Sequence, residues 1–414
     1  MAVQMQQPVQ APDIQPFAAN IPRFFLFAAL RGAQFGLITA TWVIFLQRQH
    51  GLNYTQVTLI DVVFWLAVAL GEVPTGMVAD TIGRKVSLAI GTIIMAVSMV
   101  AWAFAPTVGL VTAAYGLLAI GHTFLSGADD AFFYESLKIT GRRDEYVRLN
   151  GRKVALVIAC TALGSLSSGL LAAIDLRLPF LAAMLCFLAM FAVTLSFREP
   201  RHEANADEAK RLTYGQVLRQ AVKMMKVRPV LRLSIFYLVL LGLSGVLLET
   251  VFLQPQALTL GVPLAAVGVV VTGVHLLNIL GSNTAYRVRS RLGESTVLLV
   301  APMLIVVCLV ALAALQSLPA LGFVGVVGLL TNLARPLAMG RLQQEADDNV
   351  RATLLSLQAL LFTLVIAVIE PTMGVIADRS GLSAAYFVLA LILALLLTLL
   401  YSKGWRYFSQ GATQ

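Results

Sequence analysis

The sequence predicts an all-α membrane protein whose twelve transmembrane helices form two pseudo-symmetric six-helix bundles. Three observations predict it. Of 414 residues, 58% are hydrophobic and only 12% charged, where a soluble globular chain carries about 25% charged residues. A large soluble core does not explain that deficit, because it still needs a polar skin; a chain in lipid needs none. The apolar residues gather into twelve runs near the roughly 20 residues that a bilayer core requires. The lysines and arginines, which give a formal net charge of +9, fall in short stretches between those runs, which points to membrane topology rather than to a nucleic-acid partner.

We number the runs α1 to α12. They cover roughly 22–47, 54–79, 86–105, 109–137, 150–174, 178–197, 231–254, 262–285, 295–315, 319–343, 352–376 and 383–402. Between α6 and α7 lies a segment of different composition, 198–230, with Arg198, Arg201, Lys210, Arg211, Arg219, Lys223, Lys226 and Arg228. Within it, 213–227 places Val217, Leu218, Val222 and Met225 at helical spacing, the pattern of a basic amphipathic helix on an anionic membrane surface. The chain therefore reads as a disordered tail over 1–21, a bundle over 22–197, a linker over 198–230, a second bundle over 231–402 and a tail over 403–414. The Gln/Pro/Ala-rich start lacks the basic region, apolar core and cleavage site of a signal peptide, so α1 is expected to act as the insertion signal.

Orientation follows from charge. With the N-terminus inside, 25 of the 30 Lys and Arg residues flank the inner ends of the helices. Three (Arg48, Arg177 and Arg379) flank the outer ends, and Arg31 and Arg335 lie within helices. That is a positive-inside asymmetry, and it predicts a multi-pass membrane protein with both termini in the cytoplasm. The halves also echo each other. Val43-Ile44-Phe45-Leu46-Gln47-Arg48-Gln49 ends α1, and Thr250-Val251-Phe252-Leu253-Gln254-Pro255-Gln256 ends α7; Asp144 to Arg148 precedes α5, and Asp347 to Arg351 precedes α11. Both pairs are offset by about 205 residues, as expected of two like-oriented repeats about an axis along the membrane normal. Cys160, Cys186 and Cys308 each sit in an apolar run without metal-ligand spacing and read as packing residues.

The connection between α2 and α3 reads Gly76-Met77-Val78-Ala79-Asp80-Thr81-Ile82-Gly83-Arg84-Lys85. Gly76 permits close helix approach, Asp80 accepts hydrogen bonds or pairs with a cation, Gly83 turns the chain, and Arg84 and Lys85 anchor it inside. This run resembles the signature cytoplasmic loop of the major facilitator superfamily: Gly, three residues, Asp, then Gly-Arg-Lys. The resemblance implies a transporter working by alternating access between two six-helix halves. Asp80 and Arg84 would help to latch the halves when the cytoplasmic side is shut. A small-molecule solute and the lipid bilayer are the implied partners, and a monomer is expected. The matching loop between α8 and α9, Gly281 to Gly293, carries Arg287, Arg289 and Arg291 but no acid. A tighter echo, Gly374-Val375-Ile376-Ala377-Asp378-Arg379, ends α11 on the opposite side, where it reads as a turn signal. The superfamily's drug/proton antiporters usually carry an arginine in the fourth helix and a Gly-Pro-x-x-Gly-Gly pattern in the fifth. Here α4 carries Asp129 and Asp130, and α5 reads Gly164-Ser165-Leu166-Ser167-Ser168-Gly169, so the drug-antiporter subtype is in doubt.

Charges within lipid are costly and mark function. None lies within α3, α6, α9 or α12; the deep ones lie in α1, α2, α4, α7, α10 and α11. The resemblance makes the third helix of each three-helix unit peripheral and the others the cavity wall. Arg31, Glu72, Asp129, Asp130 and Arg335 lie roughly 10–14 Å from the inner helix ends, near the midplane of a ~30 Å core. These cations and acids can pair and simply fasten helices, or Arg335 can bind an anionic group of the solute. Nearer the outside, Asp61, Glu249 and Glu370 have no Lys or Arg beside them within the helices. A desolvated carboxyl without a cation favours its neutral form, so these three, with Glu72 and Asp129, are the proton-coupling candidates. Asp61 and Glu72 share a face of α2, which is expected to line the cavity. Gln34, His275 and Asn278 complete the polar cavity candidates, His275 being read as the one histidine deep within a helix. Pro74, Pro336 and Pro371 are expected to kink cavity helices. Phe24, Phe25, Phe64 and Trp65 read as packing or interface anchors.

No catalytic constellation, phosphate-cradling loop or nucleotide fold is legible. The sequence points to neither an enzyme nor an ATP-driven pump, and to no cofactor or metal. Because α4 and the Glu72-Val73-Pro74-Thr75-Gly76 lead-in resemble those of bacterial efflux-type members, the expectation is a gradient-driven, proton-coupled antiporter in a bacterial inner membrane, for efflux of a drug-like or amphipathic solute. Proton-coupled import of an organic anion, nutrient or siderophore is the alternative, an organic anion being favoured if Arg31 and Arg335 face the cavity unpaired. A non-transporting membrane sensor or assembly factor on the same fold, or a membrane enzyme or lipid-flipping protein, are the readings from other classes.

Overall fold

Apolar runs in lipid become helices because no water is there to bind backbone N–H and C=O groups. The computed structural model describes residues 15–199, 228–345 and 348–410, with 219 and 223 as isolated positions. Among them there is no β-strand. Eleven helical stretches are long and apolar enough to cross a bilayer. The last of them, Leu354–Ser402, has 49 residues, about 74 Å at 1.5 Å per residue and more than twice a ~30 Å core. It breaks at Gly381, whose φ of 82° and ψ of 167° are not helical and suit only glycine. The stretch therefore holds two crossings, and the described chain crosses twelve times.

The first half comprises α1 (Asn20–Thr39 and Trp42–His50), α2 (Tyr54–Thr81), α3 (Arg84–Phe104), α4 (Val108–Leu125 and Ala128–Ile139), α5 (Tyr146–Ile174) and α6 (Leu178–Leu195). The second comprises α7 (Pro229–Val246, a π-helical turn Leu247–Phe252, then Leu253–Thr259), α8 (Leu264–Leu292), α9 (Glu294–Ala314), α10 (Leu321–Glu345), α11 (348–380) and α12 (382–410). Large apolar side chains such as Leu70, Leu163 and Ile174 are exposed on the bundle surface, as lipid-facing positions require.

Two expectations are corrected. The tail over 1–21 is helical at Gln15–Ala18 and again from Asn20. Asn20 is fully buried, donates to Ser136 Oγ (3.3 Å) and the Arg198 carbonyl (2.8 Å), and accepts from the Arg198 amide (3.0 Å). A polar residue before an apolar run thus ties α1 to α4 and to the end of α6. Secondly, α4 is not one rod: it stops at Leu125 and restarts after Gly127, whose φ is 76°. Residues 1–14 and most of the expected linker, including nearly all of 213–227, lie outside the described residues.

Without a hydrophobic force between helices in lipid, close packing depends on small residues. A Cβ on Gly32 of α1 would lie 2.2 Å from the Val157 carbonyl oxygen of α5, and one on Gly164 would lie 2.1 Å from that of Ala33. The two halves meet in the same way. Gly268 of α8 packs on the Ser165 carbonyl of α5, and Gly374 of α11 packs on Tyr54, Thr55 and Thr58 of α2.

Candidate functional site

The end of the bundle that carries the basic loops and the opposite, charge-poor end differ in how the halves are joined. Hydrogen bonds between the halves cluster toward the charge-poor end. There α1 is interrupted at Ala40 and Thr41, which frees backbone groups. Gln254 of α7 takes them up: its Nε2 donates to the Thr39 carbonyl (2.6 Å), and its Oε1 accepts from the Val43 amide (3.2 Å). Trp42 Nε1 donates to the Thr250 carbonyl (3.0 Å). At the rim, the Asp378 carboxylate accepts from the Tyr54 amide (2.8 Å), the Thr55 amide (2.9 Å) and Thr55 Oγ1 (2.6 Å). A carboxylate there suits the unsatisfied N–H groups and positive dipole end of α2. The Gly374–Arg379 run is therefore more than a turn signal; it joins the two halves.

Beneath this closure lies a cavity with three adjoining parts. One, of about 360 Å³, is lined by α1, α4 and α5; a second, of about 460 Å³, mainly by α7, α8, α10 and α11; a third, of about 170 Å³, by α2 and α11. In the first, Arg31 forms an ion pair with Asp129, and Lys153 one with Asp130. The break at Gly127 places both aspartates in the first turn of a new helix, where the dipole also favours them. Gln34 is buried against this group and donates to the Arg31 carbonyl (2.9 Å).

In the second part, Asn278 Nδ2 donates to Glu249 Oε2 (2.7 Å). Glu249 sits in the π-helical turn of α7, a feature frequent at functional sites. Gly328 leaves the room: a Cβ there would lie 2.0 Å from Asn278 Oδ1 and 2.5 Å from Glu249 Oε1. His275 and Arg335 line the same wall, beside Phe35, Trp65 and Phe362. Arg335 is exposed to the cavity and has no ion pair among the described residues. Glu72 faces the third part.

Comparison with known proteins agrees with this arrangement. The model of the Major Facilitator Superfamily matches residues 24–364. The chain belongs to that superfamily. It is 28% identical over 171 residues to an uncharacterised transporter of this type, YxaM of Bacillus subtilis (strain 168), a match covering 41% of each protein. Its fold is similar to that of a mutant of the nucleoside transporter NupG (TM-score 0.77, 13% identity, 92% of this chain and 100% of that one). Similar too are a bacterial homologue of the human lysosomal transporter Spinster (0.71, 16%, 96% and 99%) and a D-xylose–proton symporter (0.71, 14%, 93% and 97%).

As a superfamily member, the chain carries its signature loop fastened within the first half. Arg84 pairs with Glu135 (2.5 Å), while the Arg84 and Lys85 amides donate to the Glu199 carboxylate (2.9 and 2.7 Å). Lys85 Nζ donates to the Leu195 and Phe197 carbonyls (both 2.8 Å). Gly83 turns the chain with a φ of 116°. Gly76, expected at a close helix contact, has open space around it here; Asp80 is half-buried and engaged.

The mixed-charge layer expected near the midplane divides. Arg31, Asp129 and Asp130 are paired in the first half, Glu72 faces the cavity apart from them, and Arg335 in the second half has no ion pair among the described residues. The outer acidic layer divides as well. Glu249 lines the cavity, but Asp61 and Glu370 are 4% and 0% exposed between α2 and α11, so Asp61 does not share the cavity face with Glu72. Trp65, read as an anchor, lines the cavity and donates to Asp61 Oδ2 (3.1 Å). Lys153 was counted among the charges at the inner end of α5; α5 starts at Tyr146, two turns before it, and that earlier start is the signal that would have found it. His122 is a second histidine within a helix, lining the cavity near Arg31.

Proposed function

We propose that this transporter carries a small, planar organic anion together with protons, in the uptake direction. The observation that carries the reading is Arg335, a guanidinium exposed to the cavity without a carboxylate partner among the described residues. A cation at membrane depth is costly unless paired, and a solute carboxylate completes it with bidentate, charge-assisted bonds. Trp65, Phe35 and Phe362 supply flat apolar surface around it, and about 460 Å³ lies within the range of small-molecule sites. Glu249 and Glu72 have no ion pair among the described residues, so an anion enters most favourably when protons neutralise these acids. That same requirement favours uptake, because an anion moving into a negative-inside cell needs accompanying protons, whereas its exit does not. By the positive-inside rule the basic end faces the cytoplasm, so the cavity is open inward here, and Asp80 and Arg84 serve the opposite, inward-closed state. The protein works as a monomer.

The test uses purified protein in proteoliposomes with benzoate and larger aromatic carboxylates as probes. An acid-outside gradient is expected to drive their accumulation, and Arg335→Ala to weaken binding about 10- to 100-fold, the worth of a charged hydrogen-bonded contact. Arg335→Lys falls between, having lost the planar fork. Undiminished carboxylate binding by Arg335→Ala rejects the reading. A second reading, efflux of an organic cation, draws on the unpaired Glu249 and Glu72; stabilisation by cationic dyes that is lost in Glu249→Gln would put it in place of the first.

A further inference from the structure

We propose that Asp61 and Glu370 together form one proton-binding site, and that its occupancy decides whether the charge-poor end of the transporter closes. The inference goes beyond the preceding reading: this proton gates the charge-poor end, is not itself carried across, and needs no particular solute.

The site is one rung of a ladder between the halves. Running inward along α2 and α11, Tyr54 and Thr55 meet Asp378, Thr58 meets Gly374, Asp61 meets Glu370, and Trp65 meets Phe362. The last pair stand edge to face, their ring centroids 5.4 Å apart, and roof the cavity. The carboxyl pair is sealed between this roof and the rim.

Asp61 is held as an acceptor. Tyr115 OH donates to its Oδ1 (2.8 Å), and Trp65 Nε1 to its Oδ2 (3.1 Å). Tyr115 is itself fixed by Trp42 and Trp102, whose rings lie 5.4 and 5.0 Å away. Glu370 faces Asp61 across the interface, and neither of its oxygens has a donor among the described residues. Two carboxylates cannot donate to each other, and two buried like charges repel. A single proton on Glu370 removes both problems: one charge disappears, and an O–H···O bond spans the halves.

The neighbouring ionisable groups offer no substitute. Tyr115 of α4 is neutral and already donating to Asp61. Along α11, Asp378 is engaged by α2, and Arg379 lies at the exposed rim beside it. Tyr54 starts α2 at the rim, Tyr386 is fully buried with its hydroxyl donating to Gln256 Oε1 (2.5 Å), and Glu72 and Glu249 line the cavity. Neither Asp61 nor Glu370 has an ion pair with a lysine, arginine or histidine among the described residues.

Opening the charge-poor end parts α2 from α11. Each carboxyl then meets water and ionises freely, releasing the proton to the outer side; closing takes one proton back from that side. Acid therefore favours the closed form. A one-proton linkage changes the closed-to-open ratio by up to about tenfold per pH unit, between the proton affinities of the joined and parted pair.

The test is a spin-label distance measurement between Gln49→Cys and Ser317→Cys, one in each half at the charge-poor end, in full-length protein in lipid nanodiscs. Cys160, Cys186 and Cys308 are replaced by alanine, and the pH runs from 5 to 9. The short-distance population is expected to grow toward acid with a slope approaching one decade per unit. Glu370→Gln keeps a donor facing Asp61 and is expected to stay closed with a flat pH response; Asp61→Asn flattens it as well. A wild-type slope retained in Glu370→Gln overturns the proposal. Proton-driven anion uptake with a pH-independent gate would overturn it while leaving the substrate reading standing; loss of that reading at Arg335 with the slope intact would do the reverse.

Discussion

Replacing Asp378 by alanine removes three hydrogen bonds that cross between the halves at the rim. Two go to the first two amides of α2 and one to the Thr55 hydroxyl. The third amide, that of Gln56, is capped within the same half by Asn53 Oδ1 (2.9 Å), and Gln56 Oε1 in turn accepts from the Asn53 amide (3.1 Å). The start of α2 is thus satisfied from two sources, one local and one from the other half. When the charge-poor end opens, water replaces the Asp378 contacts, so only a difference in solvation is lost. Charged hydrogen bonds and a carboxylate at a helix start, discounted for an exposed rim, leave about 1–2 kcal/mol favouring closure. Its removal shifts the closed-to-open ratio about 5- to 30-fold toward open. Spin-label distances across the rim at fixed pH measure that ratio directly. Asn53→Ala is the control: it weakens the helix start by about 1 kcal/mol in both states and leaves the ratio unchanged. An unaltered distribution in Asp378→Ala, or an equal shift in Asn53→Ala, refutes the argument.

Two further outcomes follow from the packing. Arg31→Gln or Asp129→Asn alone leaves a partner charge unpaired and should destabilise the fold by about 3–5 kcal/mol; the double variant should recover most of it in thermal unfolding, and additive losses would show that the two do not act as a pair. Gly268→Ala places a Cβ 2.0 Å from the Ser165 carbonyl oxygen, which backbone cannot yield cheaply. Overpacking of about 1–3 kcal/mol should spread α5 from α8 and raise the open population at the charge-poor end, and an unchanged rim distance would contradict this.

The residues that were legible in sequence and those that were not differ in kind. The Gly76–Lys85 run announced the superfamily because its constraint is local: a turn at Gly83 and two flanking cations sit within ten residues. Gly374–Arg379 has the same beginning, yet its role was hidden, because what Asp378 binds lies more than 320 residues earlier in the chain. Lys153 and His122 were missed because a helix boundary and a helix break decide which side chains reach the cavity, and neither is strongly encoded by hydropathy. Trp65 reads as packing on any helical wheel; only the approach of α11 turns it into a cavity roof.

The sequence by itself determined the number of crossings and the two-fold organisation, since lipid excludes unpaired backbone and charge strongly enough to write these into composition. It also placed costly charges at particular depths. Which of those charges neutralise each other was decided only by tertiary structure. Among the described residues Arg31 pairs with Asp129, Arg335 has no ion pair, and Asp61 faces Glu370 from the other half. The physical reason is that pairing energy depends on distances of a few ångströms between helices, and those distances are set by where small residues such as Gly268 and Gly374 let the helices touch.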